Sequence, residues 1–195
     1  MRLNRSIRFA ALSLLFAACG ASSVLADARL KAGMFNPAYM APDFSLPGSG
    51  GSDVTLARYR GKIVLLTFGF TNCAAVCPTT LATLAQARHG LGKAADAVQV
   101  VYVTVDPARD SIARMRDYLA AFDPTFVGAT GSEAVLAAVR QKYGVTAVKH
   151  GSGRDYVMAH TSSIFLIDRA GKLRALMPFG HDAADFAHDI KLLAQ

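Results

Sequence analysis

Residues 65–81 read Leu-Leu-Thr-Phe-Gly-Phe-Thr-Asn-Cys-Ala-Ala-Val-Cys-Pro-Thr-Thr-Leu. The first half is a continuous run of apolar, β-branched and aromatic residues, which is typical of a strand buried on both faces of a parallel sheet. A good helix-forming run follows Pro78, and proline is favoured at the first helical position because its missing N–H needs no partner there. The stretch predicts a strand, a loop carrying Cys73, and a helix with Cys77 at its mouth.

The two cysteines stand four positions apart, a spacing at which side chains share one face of a helix. The positive end of the helix dipole favours thiolate over thiol. A disulfide between Cys73 and Cys77 would close a very small loop and remove little entropy from the unfolded chain, so a purely structural bridge is the weaker explanation. The pair therefore predicts redox chemistry or a site for a soft metal ion.

The composition indicates one globular domain. The chain has 195 residues, of which 52% are hydrophobic and 18% are charged, and this is enough apolar material for a single core. The net charge is +7, but the basic residues are scattered and form no stripe interleaved with aromatic residues. We therefore expect no nucleic-acid partner.

The N-terminus predicts export. A basic segment up to Arg8 precedes an apolar run over 9–18, and small residues end at Ala26, which is the pattern of a secretory signal cleaved after that residue. Two alternatives stay open: the residues before Cys19 resemble a lipoprotein signal whose cysteine is lipidated, and the segment 1–26 is also compatible with an uncleaved membrane anchor. All three place the folded part in the periplasm, with or without a membrane tether.

The rest of the chain divides into a linker and a domain. Residues 27–40 have a mixed composition and are expected to form a mobile linker, so the domain is expected to cover 41–195. It begins with two short extended segments, Ala41–Leu46 and Val54–Leu56, which predict a β-hairpin. After them come strand, helix, strand, a further helical unit, a second hairpin and a closing helix. This order predicts an α/β domain of thioredoxin-like fold with an inserted helical unit.

Five histidines are candidates for a third ligand. His160 directly precedes a strand-like run, where its side chain can point at the loops at the carboxyl end of the sheet. His150 lies in a glycine-rich loop and is its main rival. The remaining three, His89, His181 and His188, are expected at the surface. The residues alone leave the choice between His160 and His150 open.

Several motifs together resemble those of the Sco/SenC family, copper-binding proteins that help to assemble the copper centres of cytochrome c oxidase. The resemblance runs from Pro42 to the C-terminus. The motifs are F-G-F-T-N-C-A-A-V-C-P-T-T-L (68–81), V-T-V-D-P-A-R-D (103–110), F-V-G-A-T-G-S (126–132) and H-T-S-S-I-F-L-I-D-R-A-G-K-L (160–173). The resemblance implies a thioredoxin-like fold in which Cys73, Cys77 and His160 bind copper.

The ligand chemistry agrees with this implication. Two thiolates and an imidazole suit Cu(I), and they also hold Cu(II) when an oxygen ligand completes the set. Zinc is chemically compatible with the same three groups. By the same resemblance, Asp106 lies near the metal loop, where it orients a ligand or contacts a partner. The competing interpretation makes Asp106 part of the turn that ends a strand, with Asp110 as a helix cap.

The chain departs from the family pattern around the proposed ligands. The family usually has Pro-Asp where Ala74 and Ala75 stand, and an aspartate where Ala159 precedes the histidine. None of these residues is a ligand, so metal binding is expected to survive. The site is nevertheless expected to be less anionic than is usual in the family.

The leading functional hypothesis is a copper chaperone that serves the copper-bearing subunit of the oxidase, with other copper chaperones or thiol reductants as further partners. The alternative is a thiol–disulfide oxidoreductase that acts on the oxidase's copper-ligand cysteines, in which Cys73 and Cys77 are the redox-active dithiol. Thioredoxin-type enzymes place two residues between their cysteines, whereas this chain places three. The sequence leaves open whether the protein is an enzyme.

Overall fold

The computed structural model describes residues 29–153 and 155–195. Its strands are β1 (Gly33–Met40), β2 (Ile63–Gly69), β3 (Val98–Thr104), β4 (Val127–Ala129), β5 (Ala147–His150), β6 (Val157–His160), β7 (Ser163–Ile167) and β8 (Lys172–Pro178). Its α-helices are α1 (Val76–Gly90), α2 (Ile112–Ala120), α3 (Glu133–Lys142) and α4 (Ala183–Leu193), and short 3-10 helices cover Leu56–Tyr59 and Gly92–Ala97.

A six-stranded mixed sheet in the order β1-β8-β7-β2-β3-β4 forms the centre of the fold. Strands β2 and β3 lie side by side in parallel, and every residue of both strands is buried. Alternate side chains point to opposite faces, so Leu66 joins the core cluster on one face and Leu65 joins the cluster on the other. The continuous apolar run of β2 is therefore explained by helices and loops that cover the sheet on both sides.

The connections confirm the predicted α/β class and the thioredoxin-like arrangement. The unit β2-α1-β3 supplies two parallel strands, and the unit β7-β8-α4 returns antiparallel, with β7 paired to β2. The inserted unit follows β3: α2 leads to β4, which pairs parallel to β3, and α3 comes after it. Strands β5 and β6 form a separate hairpin outside the main sheet. No helix within residues 29–153 and 155–195 is long and apolar enough to span a membrane.

The expected linker over 27–40 is wrong for most of its length, because Gly33–Met40 forms strand β1 at one edge of the sheet, antiparallel to β8. The fully buried Asp189 of α4 holds the approach to this strand: its carboxylate accepts the backbone N–H groups of Lys31 and Ala32, at 2.7 and 2.9 Å. Six of the eight strand residues are exposed, which explains why no hydrophobic alternation predicted it. The signal segment 1–26, with Cys19, lies outside the described residues.

Two other local predictions need correction. The N-terminal hairpin is reduced to a single bridge between Leu46 and Val54, because a 3-10 helix begins at Leu56. Thr55 caps this helix, and the Asp43 carboxylate accepts the N–H of Leu56. Helix α1 begins at Val76, two residues before Pro78, which is therefore the third helical residue.

Gly69, at the end of β2, lies against the buried ring of Tyr102 in β3. A Cβ added at Gly69 would lie 2.8 Å from the Tyr102 Cζ and would also overlap the hydroxyl. The ring is 1% exposed and has no room to retreat. Position 69 therefore requires glycine, because the Tyr102 side chain lies directly against its backbone. This is the point where the chain leaves the sheet toward Cys73.

We predict that Gly69→Ala lowers the free energy of unfolding by about 1–3 kcal/mol, because the added methyl group overpacks the core. Urea unfolding followed by circular dichroism measures the effect. Gly90→Ala is the control: Gly90 is the last residue of α1, and an added Cβ meets nothing within 4 Å. That change should leave stability unchanged or raise it by up to about 1 kcal/mol. Equal stabilities of the two variants would contradict the close approach.

Candidate metal centre

The sulfur of Cys73 takes the place of a cap at the N-terminus of α1. The cap residue Ala75 makes no side-chain hydrogen bond to the helix, and the backbone N–H of Cys77 instead donates to the Cys73 Sγ at 3.4 Å. The N–H of Cys73 itself donates to the Phe70 carbonyl at 3.4 Å, which tightens the loop after β2. The free N–H groups of a helix N-terminus favour negative charge, so the loop presents Cys73 where a thiolate is stabilised.

The two cysteines occupy opposite environments. Burial raises the pKa of Cys73, but the N–H groups of Cys77, Ala75 and Val76 outweigh this effect and the pKa is lowered overall. Cys77 is only 3% exposed, and burial raises the pKa of its thiol to about 12. Cys73 is therefore the accessible and more readily ionised sulfur, whereas Cys77 holds a proton until something displaces it.

His160 is brought to the cysteines by the β5–β6 hairpin. It is the last residue of β6, it pairs with Ala147, and the chain then enters β7 beside the end of β2. Its Nε2 lies 3.6 Å from the Cys77 Sγ. Its Nδ1 lies 2.9 Å from the carbonyl oxygen of Thr161. Because a carbonyl only accepts, Nδ1 carries the hydrogen and the lone pair of Nε2 is free to face the sulfur.

Burial lowers the pKa of His160, and the Thr161 hydrogen bond offsets this effect only in part. The imidazole is therefore neutral near pH 7. A neutral imidazole with a free Nε2 beside a thiol is the form that a metal ion binds.

The hairpin that carries His160 is fastened to the loop after β3 by Asp106 and its two partners. The Asp106 carboxylate accepts the Tyr156 hydroxyl and the Arg109 Nε–H, each at 2.5 Å, and the residue is 3% exposed. The predicted partner contact by Asp106 does not fit this burial. Its position instead suits the alternative role of orienting a ligand, because Tyr156 precedes the His160 strand.

Aromatic contacts extend this attachment to the histidine. The Arg109 guanidinium stacks 3.7 Å from the centroid of the Tyr156 ring and lies 5.8 Å from that of Phe70. The Phe70 ring in turn meets the imidazole of His160 edge to face, with centroids 5.8 Å apart. A continuous set of contacts therefore runs from the buried carboxylate to the imidazole.

The interpretation of Asp110 as a helix cap is wrong, because Ser111 caps α2 through its hydroxyl and the N–H of Arg114. Asp110 is instead fully buried and accepts both the backbone N–H and the hydroxyl of Thr71, the latter at 2.6 Å, as well as the Thr104 hydroxyl at 2.7 Å. It fixes the start of the cysteine loop. The sequence signal that was missed is a threonine at or just after the end of each of two adjacent parallel strands, Thr71 after β2 and Thr104 in β3, followed closely by Asp110.

Cys77 neighbours both of the other predicted ligands. Its sulfur contacts the Nε2 of His160, and the Cys73 sulfur lies beside it and accepts the Cys77 backbone N–H. Within the described ranges, no three His, Cys, Asp or Glu side chains are already grouped to hold a metal ion. His150 lies on β5 opposite Val157, at the other end of the hairpin.

Sequence comparison relates the chain to one family. A family model described as SCO1/SenC matches residues 33–195. A SCO2-like protein of Rickettsia conorii is 35% identical over 133 residues, which cover 67% of this chain and 65% of that protein. The mitochondrial SCO2 homolog of mouse is 38% identical over 133 residues, covering 66% of this chain and 52% of that protein. The chain thus spans between about half and two thirds of the length of these curated relatives.

A solved structure extends the likeness to the fold. The copper-bound structure of ScoI from Bradyrhizobium japonicum superposes on this chain with a TM-score of 0.72 at 37% sequence identity. The superposition covers 78% of this chain and 98% of that one.

We predict that brief treatment of the reduced, metal-free protein with iodoacetamide at pH 7 modifies Cys73 and spares Cys77. Cys73 is half-buried with a lowered pKa, whereas Cys77 is buried and holds its proton. Raising the pH should speed the reaction at Cys73 only until its lowered pKa is passed, so its rate levels off earlier than that of a free thiol. Peptide mass spectrometry assigns the modified residue, and faster labelling of Cys77 would contradict the assignment.

Proposed function

Because the chain belongs to the SCO1/SenC family, we propose that it is a copper chaperone which binds copper through Cys73, Cys77 and His160. The observation that carries the proposal is the 3.6 Å contact between the Cys77 sulfur and the free Nε2 of His160, two groups 83 residues apart in sequence. Copper bound to the similar ScoI protein of Bradyrhizobium japonicum supports the choice of metal. Sulfur and imidazole are ligands that suit copper in both of its common oxidation states.

The two thiols supply different parts of the capture step. Cys73 is the more readily ionised sulfur and the more exposed one, so it is the first ligand that arriving copper meets. Cys77 then gives up its proton to solvent as its sulfur binds, and the Nε2 lone pair of His160 completes the set. Binding therefore requires the reduced protein and releases a proton, since a disulfide offers no thiolate.

The surroundings of Cys73 suit transfer to a second protein. The residues around it are exposed, and two of them have small side chains: they are Asn72, Ala74 and Ala75. A recipient with thiolate or imidazole ligands can reach copper from this side and displace Cys73 first, while Cys77 and His160 still hold the ion. We propose that the recipient is the subunit of cytochrome c oxidase with the binuclear copper site, as the family resemblance implies. Other copper chaperones would supply the copper, or thiol reductants would keep the two cysteines reduced.

Delivery to that subunit requires a location outside the cytoplasm. We propose a periplasmic protein, exported by the segment 1–26. A tether, through lipidation of Cys19 or an uncleaved anchor, would keep it beside a membrane-bound recipient.

We predict that His160→Ala weakens copper binding by more than the 10–100-fold that loss of an outer-shell partner costs, because a direct ligand is removed. The reduced protein is titrated with Cu(I) against a competing chelator, and the Cu(II) complex is followed by its absorption spectrum. The matched control is His150→Ala, which removes an exposed histidine from the other end of the same hairpin and should leave affinity and spectrum unchanged. Unchanged binding by His160→Ala would overturn the three-ligand site.

A second function is favoured by the contrast between the two thiols. A half-exposed cysteine of lowered pKa next to a buried cysteine of raised pKa has the form of an attacking and a resolving thiol. In this reaction the Cys73 thiolate attacks a disulfide of the oxidase's copper-ligand cysteines. Cys77 then resolves the mixed disulfide, which leaves the partner reduced by two electrons and this protein oxidised. An exogenous thiol reductant must restore the dithiol.

We predict that each molecule of the metal-free reduced protein reduces about one insulin disulfide. In the presence of dithiothreitol, the protein should not catalyse insulin reduction beyond the rate of dithiothreitol alone. Three residues separate the cysteines, so exchange at the second sulfur is not arranged for rapid cycling. Turbidity of insulin measures the reaction, and Cys77→Ser is the control that lacks a resolving thiol. Rapid catalytic turnover lost in Cys77→Ser would favour the oxidoreductase over the chaperone.

A further inference from the structure

Tyr102 lies in the middle of the sheet with an unpaired hydroxyl group. The residue is 1% exposed, in the centre of β3. Within residues 29–153 and 155–195 its hydroxyl makes no hydrogen bond. A buried hydroxyl without a partner costs stability, whereas a phenylalanine would fill the same space without that cost. Packing alone therefore does not explain why this position has tyrosine instead of phenylalanine.

The hydroxyl points to the space beside the Cys77 sulfur. Gly69 leaves room for it, since any side chain there would overlap the hydroxyl. Tyr102, Cys77 and His160 line one small cavity of about 10 Å³, together with Thr80 and Ser162. That volume is at the lower limit for a single water molecule, so nothing larger separates the hydroxyl from the sulfur.

The two groups are complementary in charge only when Cys77 is ionised. A tyrosine hydroxyl keeps its hydrogen at neutral pH and can serve as a donor. A neutral thiol is a poor acceptor, but a thiolate is a strong one and forms a charge-assisted hydrogen bond.

We propose that Tyr102 is a positioning residue for Cys77, whose hydroxyl donates a hydrogen bond to the sulfur when copper binding displaces the thiol proton. This inference rests on the proposed copper-binding function. Among the described residues, the hydroxyl has no hydrogen-bond partner. In the loaded protein it fixes the direction of the Cys77 sulfur and withdraws electron density from it. The polar group is therefore expected to cost stability without the metal and to add affinity with it.

The contrast between these two effects defines the test. Tyr102→Phe removes only the hydroxyl oxygen and its hydrogen. Tyr118→Phe is the matched control: the Tyr118 hydroxyl of α2 is also buried and unpaired in the described part of the chain, and its ring centroid lies 6.4 Å from that of Tyr102. The cavity beside Cys77 is lined by Tyr102 and not by Tyr118. Both variants are measured metal-free by thermal unfolding and loaded by copper titration and absorption spectroscopy.

We expect both variants to unfold, metal-free, at or above the wild-type temperature. Tyr102→Phe alone should weaken copper binding by about tenfold or more, the usual effect of losing an outer-shell partner. It should also move the sulfur-to-Cu(II) charge-transfer band to longer wavelength, because the thiolate becomes a stronger electron donor without the hydrogen bond. Tyr118→Phe should match the wild type in affinity and in band position.

Three results would overturn the inference. A Tyr102→Phe protein with wild-type affinity and band position would show that the hydroxyl does not reach the sulfur. An equal effect of Tyr118→Phe would show that general packing, and not a hydrogen bond, is responsible. A wild-type protein that binds no copper would overturn the proposed function and this inference together, whereas wild-type binding with a silent Tyr102→Phe overturns this inference alone.

Discussion

The meeting of Cys77 and His160 depends on the antiparallel pairing of β7 with β2. The cysteine helix begins just past the end of β2, and His160 stands three residues before β7 starts, so the register that pairs Thr67 with Ile164 brings the two groups to the same edge of the sheet. A slip of one residue in that pairing would turn the alternate side chains to opposite faces. Such a slip is costly because β2 is buried on both faces. The same burial that forms the core therefore also fixes the position of His160 relative to Cys77.

Two buried carboxylates act on the candidate site from a distance, because they hold the loops that lead to it. Asp110 fixes the start of the cysteine loop through Thr71, and Asp106 fixes the histidine hairpin through Tyr156. Each carboxylate accepts at least two hydrogen bonds, which offset the cost of burying its polar oxygens. Both come from the single segment after β3, so one short stretch of chain aligns the cysteine loop with the hairpin that carries His160.

The parts of the site that could be predicted from sequence are those encoded in neighbouring residues. The strand, loop and helix around Cys73 and Cys77 follow from hydrophobic runs and local spacing, and the choice of His160 over His150 follows from the family resemblance. Strand β1 could not be predicted, because its residues are mostly exposed and its approach depends on Asp189, 158 positions from Lys31. The role of Asp110 was hidden for a similar reason: its partner Thr71 is 39 residues away, and the position of Asp110 just before α2 suggested a helix cap instead.

Three features of the candidate site would change if a cation bound. Within the described residues, the Cys77 thiol is too buried to ionise at neutral pH, its S–H faces the lone pair of His160 Nε2 as a hydrogen-bond donor, and the Tyr102 hydroxyl has no hydrogen-bond partner. One soft cation would change all three at once, since it would displace the thiol proton, take up the lone pair of Nε2 and create an acceptor for the hydroxyl. Cys73 is different, because the helix N–H groups stabilise its thiolate with or without the metal. In the proposed function, the buried Cys77 and the half-buried His160 would hold the ion, and Cys73, the more accessible of the two sulfurs, would exchange it. This division suits the proposed delivery of a metal ion to a partner.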